Sequence, residues 1–124
     1  MLAGAPFIGF IPTTDLARAR SFYEGTLGLR CTDDNPVACV FDANGTMLRV
    51  TAVPELTGAG YTVAGWRVDD IGTAVKALVD AGVEFRRYDG MHQDDLGVWT
   101  TPDGGKVAWF SDADGNVLSL TQFA

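Results

Sequence analysis

An internal duplication is the feature that most constrains the fold of this chain. Asp15 and Asp70 each follow a short apolar run and each precede a helical pattern of apolar residues, 55 residues apart. The far ends of the two halves also align, since each has an apolar run, a Gly-containing turn and a second apolar run. A repeated unit of this size leaves an apolar face that a neighbour must cover. One domain of two similar modules is therefore expected, with boundaries near residues 5–56 and 60–124.

The first half has the pattern of a strand, a helix and further strands. Residues 6–12 are apolar, and Thr13-Thr14-Asp15 supplies side chains that cap a helix N-terminus. The helix is expected to end at Gly28, because glycine commonly terminates helices. Asn44-Gly45 then lies between two apolar runs, which is a strong hairpin signal. The helix's apolar face is expected to be Leu16, Ala19, Phe22, Tyr23 and Leu27, and the hairpin strands residues 37–41 and 47–53.

The second half repeats this order. Residues 61–68 favour a strand, and Asp69-Asp70 opens a helix that Gly82 ends. Each half thus follows a βαβββ order, which predicts an α+β fold whose two modules form a curved mixed sheet around a cleft. The helix's apolar face is expected to be Ile71, Ala74, Val75, Leu78 and Val79, and the later strands residues 83–88, 97–101, 106–110 and 117–123.

Charge and cysteine content limit the partners and the compartment. The chain carries 9 basic and 16 acidic residues, a net charge of −7, which disfavours binding to nucleic acid or to an anionic membrane surface. No apolar run approaches the roughly 18 residues that span a bilayer. Cys31 and Cys39 form no CxxC motif, and two reduced thiols favour a cytoplasmic location. The N-terminal run is interpreted as a strand and not a signal peptide, because it lacks basic residues.

Several motifs together resemble the vicinal-oxygen-chelate superfamily of glyoxalases, bleomycin-resistance proteins and extradiol dioxygenases. They are Thr13-Thr14-Asp15-Leu16, Phe22-Tyr23, Leu27-Gly28-Leu29, and Trp-Phe-Ser-Asp-Ala-Asp-Gly-Asn at residues 109–116. The resemblance extends from about residue 6 to residue 122 and implies the fold of two βαβββ modules. It leaves the activity open, because this superfamily includes lyases, isomerases, dioxygenases, thiol transferases and drug-sequestering proteins without catalysis.

The resemblance also implies where a metal would bind. Metal-dependent members have His or Gln seven residues before the aspartate that opens each helix, and Glu in the last strand of each module. Here the matching positions hold Ile8, Val63, Arg49 and Ser119, of which Ser119 alone offers an oxygen. Known metal sites need more carboxylate, His or Cys donors than this set provides. Neither a metal nor another cofactor is therefore expected.

Strand alternation predicts which side chains face the cleft. Residues two apart on a strand share a face, so the neighbours of the four former ligand positions join them. The opposite parity is more uniformly apolar and is expected to form the core: Leu48, Val50, Ala64, Trp66, Val68, Ala108, Phe110, Leu118 and Leu120. Gly65 and Val107 are expected to share the cleft face with the predicted ligand-binding residues, Ile8, Phe10, Met47, Arg49, Thr51, Val63, Arg67, Trp109, Ser119 and Thr121.

Two classes of function fit this lining. The leading hypothesis is a metal-independent protein that sequesters or carries an aromatic or hydrophobic ligand with an anionic or carbonyl group. The alternative is a lyase or isomerase acting on a carbonyl compound, with Arg49 or Arg67 as electrophilic stabiliser and His92 as proton carrier. A peptide-binding module stays open as a third class.

Each of these residues also has an ordinary structural explanation. Both arginines can extend to water, Trp109 can pack at a subunit interface, and His92 can belong to a solvated loop. Unpaired sheet edges and an apolar rim also favour a homodimer.

Overall fold

Two aspartate side chains begin the two helices, as the sequence predicts. In the computed structural model, which describes residues 1–124, the Asp15 carboxylate accepts a hydrogen bond from the Arg18 N–H at 3.0 Å. The Asp70 carboxylate accepts one from the Thr73 N–H at 3.2 Å. Both aspartates have extended backbone, which is the geometry of an N-cap residue. The same local device therefore opens the helix of each half of the chain.

The chain divides into two compact units, 1–57 and 58–124. The first contains β1 (Ile8–Thr13), α1 (Leu16–Arg20), β2 (Arg30–Asp34), β3 (Ala38–Ala43) and β4 (Thr46–Ala52). Its four strands form one mixed sheet in the order β1-β4-β3-β2, with β1 parallel to β4 and the other pairs antiparallel. Asn44 and Gly45 turn the β3–β4 hairpin with positive φ angles of 51° and 93°, as the Asn-Gly signal predicts.

The helix after Asp15 does not stay α-helical to Gly28, which corrects the expectation. Residues Ser21–Thr26 form a π-helical turn, in which the Leu27 N–H donates to the Phe22 carbonyl at 2.9 Å. Tyr23 in this turn is buried against Phe41, with ring centroids 5.8 Å apart. Apolar spacing over so few residues cannot distinguish the wider turn from an α-helical one. Gly28 ends the segment with φ of 76°.

The second unit repeats the topology of the first. It contains β5 (Thr62–Arg67), α2 (Ile71–Asp80), β6 (Trp99–Thr100), β7 (Lys106–Ser111) and β8 (Val117–Gln122). The sheet order is β5-β8-β7-β6, again with the first strand parallel to the last and the remaining pairs antiparallel. The chain is thus an α+β protein with two four-stranded mixed sheets, one in each unit.

One predicted strand of the second unit is absent, and another is shorter than expected. Residues 83–88 form only a single bridge, between Phe85 and Phe110 of β7, and 97–101 contribute only Trp99–Thr100. Between them the Gln93 side chain bonds the backbone of Tyr88, Arg86 and Gly97. The Asp94 carboxylate likewise accepts the backbone N–H groups of residues 96 and 98. Side chains here satisfy backbone groups that a strand ladder would otherwise pair, so the apolar pattern alone misleads.

Burial alternates along β1, β4, β5 and β7 as the sequence predicts, whereas the first four residues of both β3 and β8 are all buried. Ile11 and Val50 are fully buried, whereas Phe10, next to Ile11, is 63% exposed. Cys39 is buried and Cys31 is partly exposed, and both are free thiols. Burial, with a smaller contribution from the neighbouring Asp34 carboxylate, raises the pKa of Cys39 to about 11, which keeps this thiol protonated and unreactive. No helix is both long and apolar enough to cross a membrane.

The Asp70 cap gives a stability prediction. Asp70→Ala is expected to lower the free energy of unfolding by about 1 kcal/mol, because the Thr73 N–H loses its acceptor. Asp69→Ala is the matched control. Asp69 is exposed, and its substitution removes the same charge one residue before the cap. Urea denaturation measures both. Equal stability losses in the two variants would contradict the capping role.

Candidate functional site

Large apolar side chains lie exposed on one face of the first unit's sheet. Parallel pairing sets Phe10 opposite Arg49 and Ile8 opposite Met47. Ile8 and Met47 are each about two-fifths exposed, and Phe10 is more exposed still. The intervening residues, Ile11, Leu48 and Val50, are buried on the other face. The side chains predicted to bind a ligand in this unit therefore share one accessible face, and their ligand role stays a prediction.

Arg49 lies in this face without an ionic partner. It is partly buried and forms no salt bridge and no hydrogen bond to another side chain or to the backbone. Next to it is an open depression with a volume of about 460 Å³. The depression is lined mainly by Phe10, Pro12, Val37, Arg49, Thr51 and Val53.

The corresponding face of the second unit is organised in rows across its strands. Gly65 pairs with Ser119, and Ser119 pairs with Trp109. Arg67 pairs with Thr121, and Thr121 with Val107. Val63 precedes these rows at a register shift in β5 and is partly exposed. Ser119 is buried, with 8% of its surface exposed, whereas its cross-strand partners Gly65 and Trp109 are more exposed.

Three aromatic side chains cluster on this face, two of which the sequence reasoning missed. Trp109 lies 6.2 Å from Trp99 and 5.5 Å from Tyr88 between ring centroids, in a tilted and an edge-on arrangement. The Arg86 guanidinium lies over the Tyr88 ring at 5.7 Å. The 102–105 turn offered a signal for Trp99, because a hairpin closed there places Trp99 opposite Val107, as observed. Tyr88 carried no such signal, since its segment is not a strand.

Arg67 and His92, the residues on which the enzyme alternative depends, are both exposed. The exposed Arg67 guanidinium lies over the Phe123 ring at 5.6 Å. His92 is exposed, and neither its ring nor the Asp94 carboxylate forms a hydrogen bond with the other. A general base needs an orienting partner and a nearby reacting group. The proton-carrier role of His92 stays a prediction.

The four positions at which metal-dependent relatives bind their ion do not fit a metal. Ile8 and Val63 have no donor atom, Arg49 is cationic, and Ser119 offers one hydroxyl. No group of three or more His, Cys, Asp or Glu side chains that could hold an ion occurs anywhere in the chain. Stable divalent sites use several carboxylate, imidazole or thiolate donors. These four side chains therefore do not supply a donor set for a divalent ion.

The sequence profile of the glyoxalase/bleomycin resistance protein/dioxygenase superfamily matches residues 6–120. The chain belongs to this superfamily. The match confirms the resemblance drawn from the motifs near Asp15 and at residues 109–116, and it agrees with the two βαβββ units. A search of curated proteins finds no match.

Solved structures of the superfamily share this fold over almost the whole chain. A glyoxalase-family protein from Bacillus anthracis superposes with a TM-score of 0.75 at 16% identity, covering 97% of this chain and 95% of its own. The bleomycin resistance determinant encoded on transposon Tn5 gives 0.73 at 22% identity, with 94% and 96% covered. TnmS3, an antibiotic-binding protein from Streptomyces sp. CB03234, gives 0.74 at 26% identity, with 100% and 99% covered.

The Gly65–Ser119 pair gives a second prediction. A Cβ added at Gly65 collides with the Ser119 hydroxyl oxygen and comes within 3.0 Å of the Ser119 carbonyl oxygen. Gly65→Ala is therefore expected to lower the free energy of unfolding by about 1–3 kcal/mol. Gly9→Ala, on the edge strand of the first unit, is the control, because its nearest contact is an ordinary 3.5 Å.

A double-mutant cycle with Ser119→Ala separates the two contacts of Gly65. Part of the loss should be recovered in the double variant, because the hydroxyl that collides is gone. Chemical denaturation measures the four stabilities. No recovery, or an equal loss in Gly9→Ala, would show that the hydroxyl does not limit this position.

Proposed function

We propose that this chain is a metal-independent small-molecule-binding protein that sequesters or carries its ligand. The ligand class is an aromatic or hydrophobic molecule with an anionic or carbonyl group. The observation that carries the proposal is the exposed sheet face itself, which combines aromatic and aliphatic side chains with an unpaired guanidinium. Small-molecule sites have this composition, with mostly apolar walls and few polar anchors.

The superfamily's members support this class of role. TnmS3 is named as an antibiotic-binding protein, and it is 26% identical to this chain over nearly all of both chains. The Tn5 determinant is named for bleomycin resistance. Bleomycin itself is a poor candidate for this chain, because Arg49 and Arg67 oppose a cationic drug. The two proteins therefore support a ligand-binding role for this chain. Its two arginines favour an anionic or neutral ligand over a cationic one.

Trp109 is proposed as the apolar platform. Its indole is partly exposed and is held by Trp99 and Tyr88, so it presents a preorganised aromatic surface. Complete burial of an indole, roughly 150–250 Å² at about 25 cal/mol per Å², contributes at most about 4–6 kcal/mol before association costs. Micromolar affinity needs about 8 kcal/mol, so a charge-assisted contact must add to it. Arg49 and Arg67 are the proposed sources, with Ile8, Phe10, Met47, Thr51, Val63, Ser119 and Thr121 as further contacts.

The charge of Arg49 supports the proposed independence from metal. A guanidinium about 4 Å from a divalent ion costs on the order of 8 kcal/mol at an effective dielectric near 20. That penalty exceeds what a single serine hydroxyl can offset. The arginine position therefore favours an anionic group of the ligand where relatives hold an ion.

We further propose that the protein is a cytoplasmic homodimer. Phe7 and Tyr61 are 76% and 68% exposed and are outside the proposed ligand set. The strands β1 and β5 are also edges of their sheets. Edges and exposed aromatic residues of this kind are commonly covered by a second copy. Sedimentation at micromolar concentration should give twice the monomer mass of 13.2 kDa; monomer alone would contradict the dimer.

The platform role of Trp109 is testable once a thermal-shift screen of aromatic acids, antibiotics and thiol conjugates has given a ligand. Trp109→Leu is expected to weaken binding of that ligand and of its neutral analogue alike, each at least about 10-fold. Trp66→Leu is the control, because Trp66 lies on the opposite face of its strand. Titration calorimetry measures both variants.

In the same titrations, Arg49→Ala and Arg67→Ala should weaken anionic ligands more than neutral analogues. Unchanged affinity in Trp109→Leu, Arg49→Ala and Arg67→Ala would contradict the proposed site. Equal losses of affinity in Trp66→Leu and Trp109→Leu would indicate a general effect on folding.

A further inference from the structure

We infer that the depression beside Phe10 in the first unit is a carboxylate subsite for a small apolar monocarboxylate. Arg49 is its charged anchor and Thr51 its second hydrogen-bond donor. The inference rests on the proposed binding function and assigns one arginine, one hydroxyl and one ligand class to it. It also separates Arg49 from Arg67, which the sequence could not do.

Arg49 stands apart from the other arginines of this acidic chain. Arg20 pairs with Glu24 and Asp34, and Arg30 pairs with Asp42. Arg86 and Arg87 donate to a serine hydroxyl and to backbone carbonyls. Arg67 lies over the Phe123 ring. The chain has 16 acidic residues, yet none pairs with Arg49, which leaves the fork of this guanidinium open for an external carboxylate.

Thr51 supplies an independent observation that also indicates a ligand. Its hydroxyl oxygen is the only buried side-chain nitrogen or oxygen in the chain without a hydrogen-bond partner. Buried polar groups are almost always paired, so an orphan of this kind needs an explanation. Arg49 and Thr51 are two residues apart on β4 and line the same depression. The hydroxyl oxygen has almost no exposed surface, so one acceptor group engages both side chains only after the Thr51 side chain rotates toward the depression.

The walls of the depression define the rest of the ligand. Phe10, Pro12, Val37 and Val53 are apolar, and the volume of about 460 Å³ lies within the range of small-molecule sites. Arg49 is the only cation among the lining residues. One cation in a chain of net charge −7 favours a single negative charge over a dianion. A neutral amide would leave the guanidinium without a countercharge, so the carboxylate is preferred.

Benzoate and its neutral analogue benzamide are suitable probes. Titration of the full chain, followed by amide chemical shifts in NMR, should show benzoate binding at least about 10-fold more tightly than benzamide. Arg49→Gln should remove most of this preference, whereas Lys76→Gln should retain it. Lys76→Gln removes the same charge from an exposed position on α2. A preference that survives Arg49→Gln would overturn the assignment of the anchor.

Thr51→Val separates a binding role from a structural one. Without ligand it should raise the melting temperature by about 2–4 °C, because it removes an unpaired buried hydroxyl. It should nevertheless weaken benzoate binding about 3-fold or more. Thr46→Val, at an exposed position of the same strand, should leave binding unchanged. Unchanged benzoate affinity in Thr51→Val would overturn the role of the hydroxyl.

The outcomes also distinguish this inference from the proposed function. If aromatic ligands bind and depend on Trp109, but benzoate and benzamide bind equally, the carboxylate subsite is wrong and the binding function stands. If no compound of the screen or of the probe pair binds, both fail.

Discussion

The parallel pairing of the first and last strand in each unit determines which side chains share an accessible face. Because β1 pairs with β4, Phe10 lies opposite Arg49, and because β5 pairs with β8, Gly65 lies opposite Ser119. A register shift of one residue would bury the side chains that are now on the accessible face and expose those that are now in the core. The buried parity is mostly apolar, so such a shift is strongly opposed. The composition of the candidate site is therefore fixed by the register that buries the core.

The two units have the same topology but different chemistry at matching positions. The row Phe10–Arg49–Val40 of the first unit corresponds to the row Gly65–Ser119–Trp109 of the second. The first unit has its aromatic ring on the edge strand and a cation at the centre. In the second unit, the edge strand has Gly65, the central strand has the Ser119 hydroxyl, and the third strand has the Trp109 indole. The duplicated topology thus carries a guanidinium at the central position of one sheet face and a hydroxyl at the matching position of the other.

Local signals predicted those parts of the fold that depend on local chemistry. The caps at Asp15 and Asp70 and the Asn44-Gly45 turn depend on few neighbouring residues, and strand alternation needed only the parity of each run. The sequence failed where side chains from elsewhere determine the backbone. Residues 83–88 are apolar enough for a strand, yet Gln93 bonds the backbone groups a partner strand would use. Tyr88 was missed for the same reason. The unpaired hydroxyl of Thr51 was also missed, because a sequence pattern does not show which side chains lack a hydrogen-bond partner in the fold.

The central claim is that an organic anion takes the place of a metal in this member of the superfamily. The most direct test is calorimetric titration of chelator-treated protein with 2-naphthoate, repeated after addition of Mn²⁺, Ni²⁺ or Zn²⁺. The account predicts binding without metal and an affinity that changes less than about twofold when any of these ions is added. Binding that appears only after a divalent ion is restored, at one ion per chain, would contradict it.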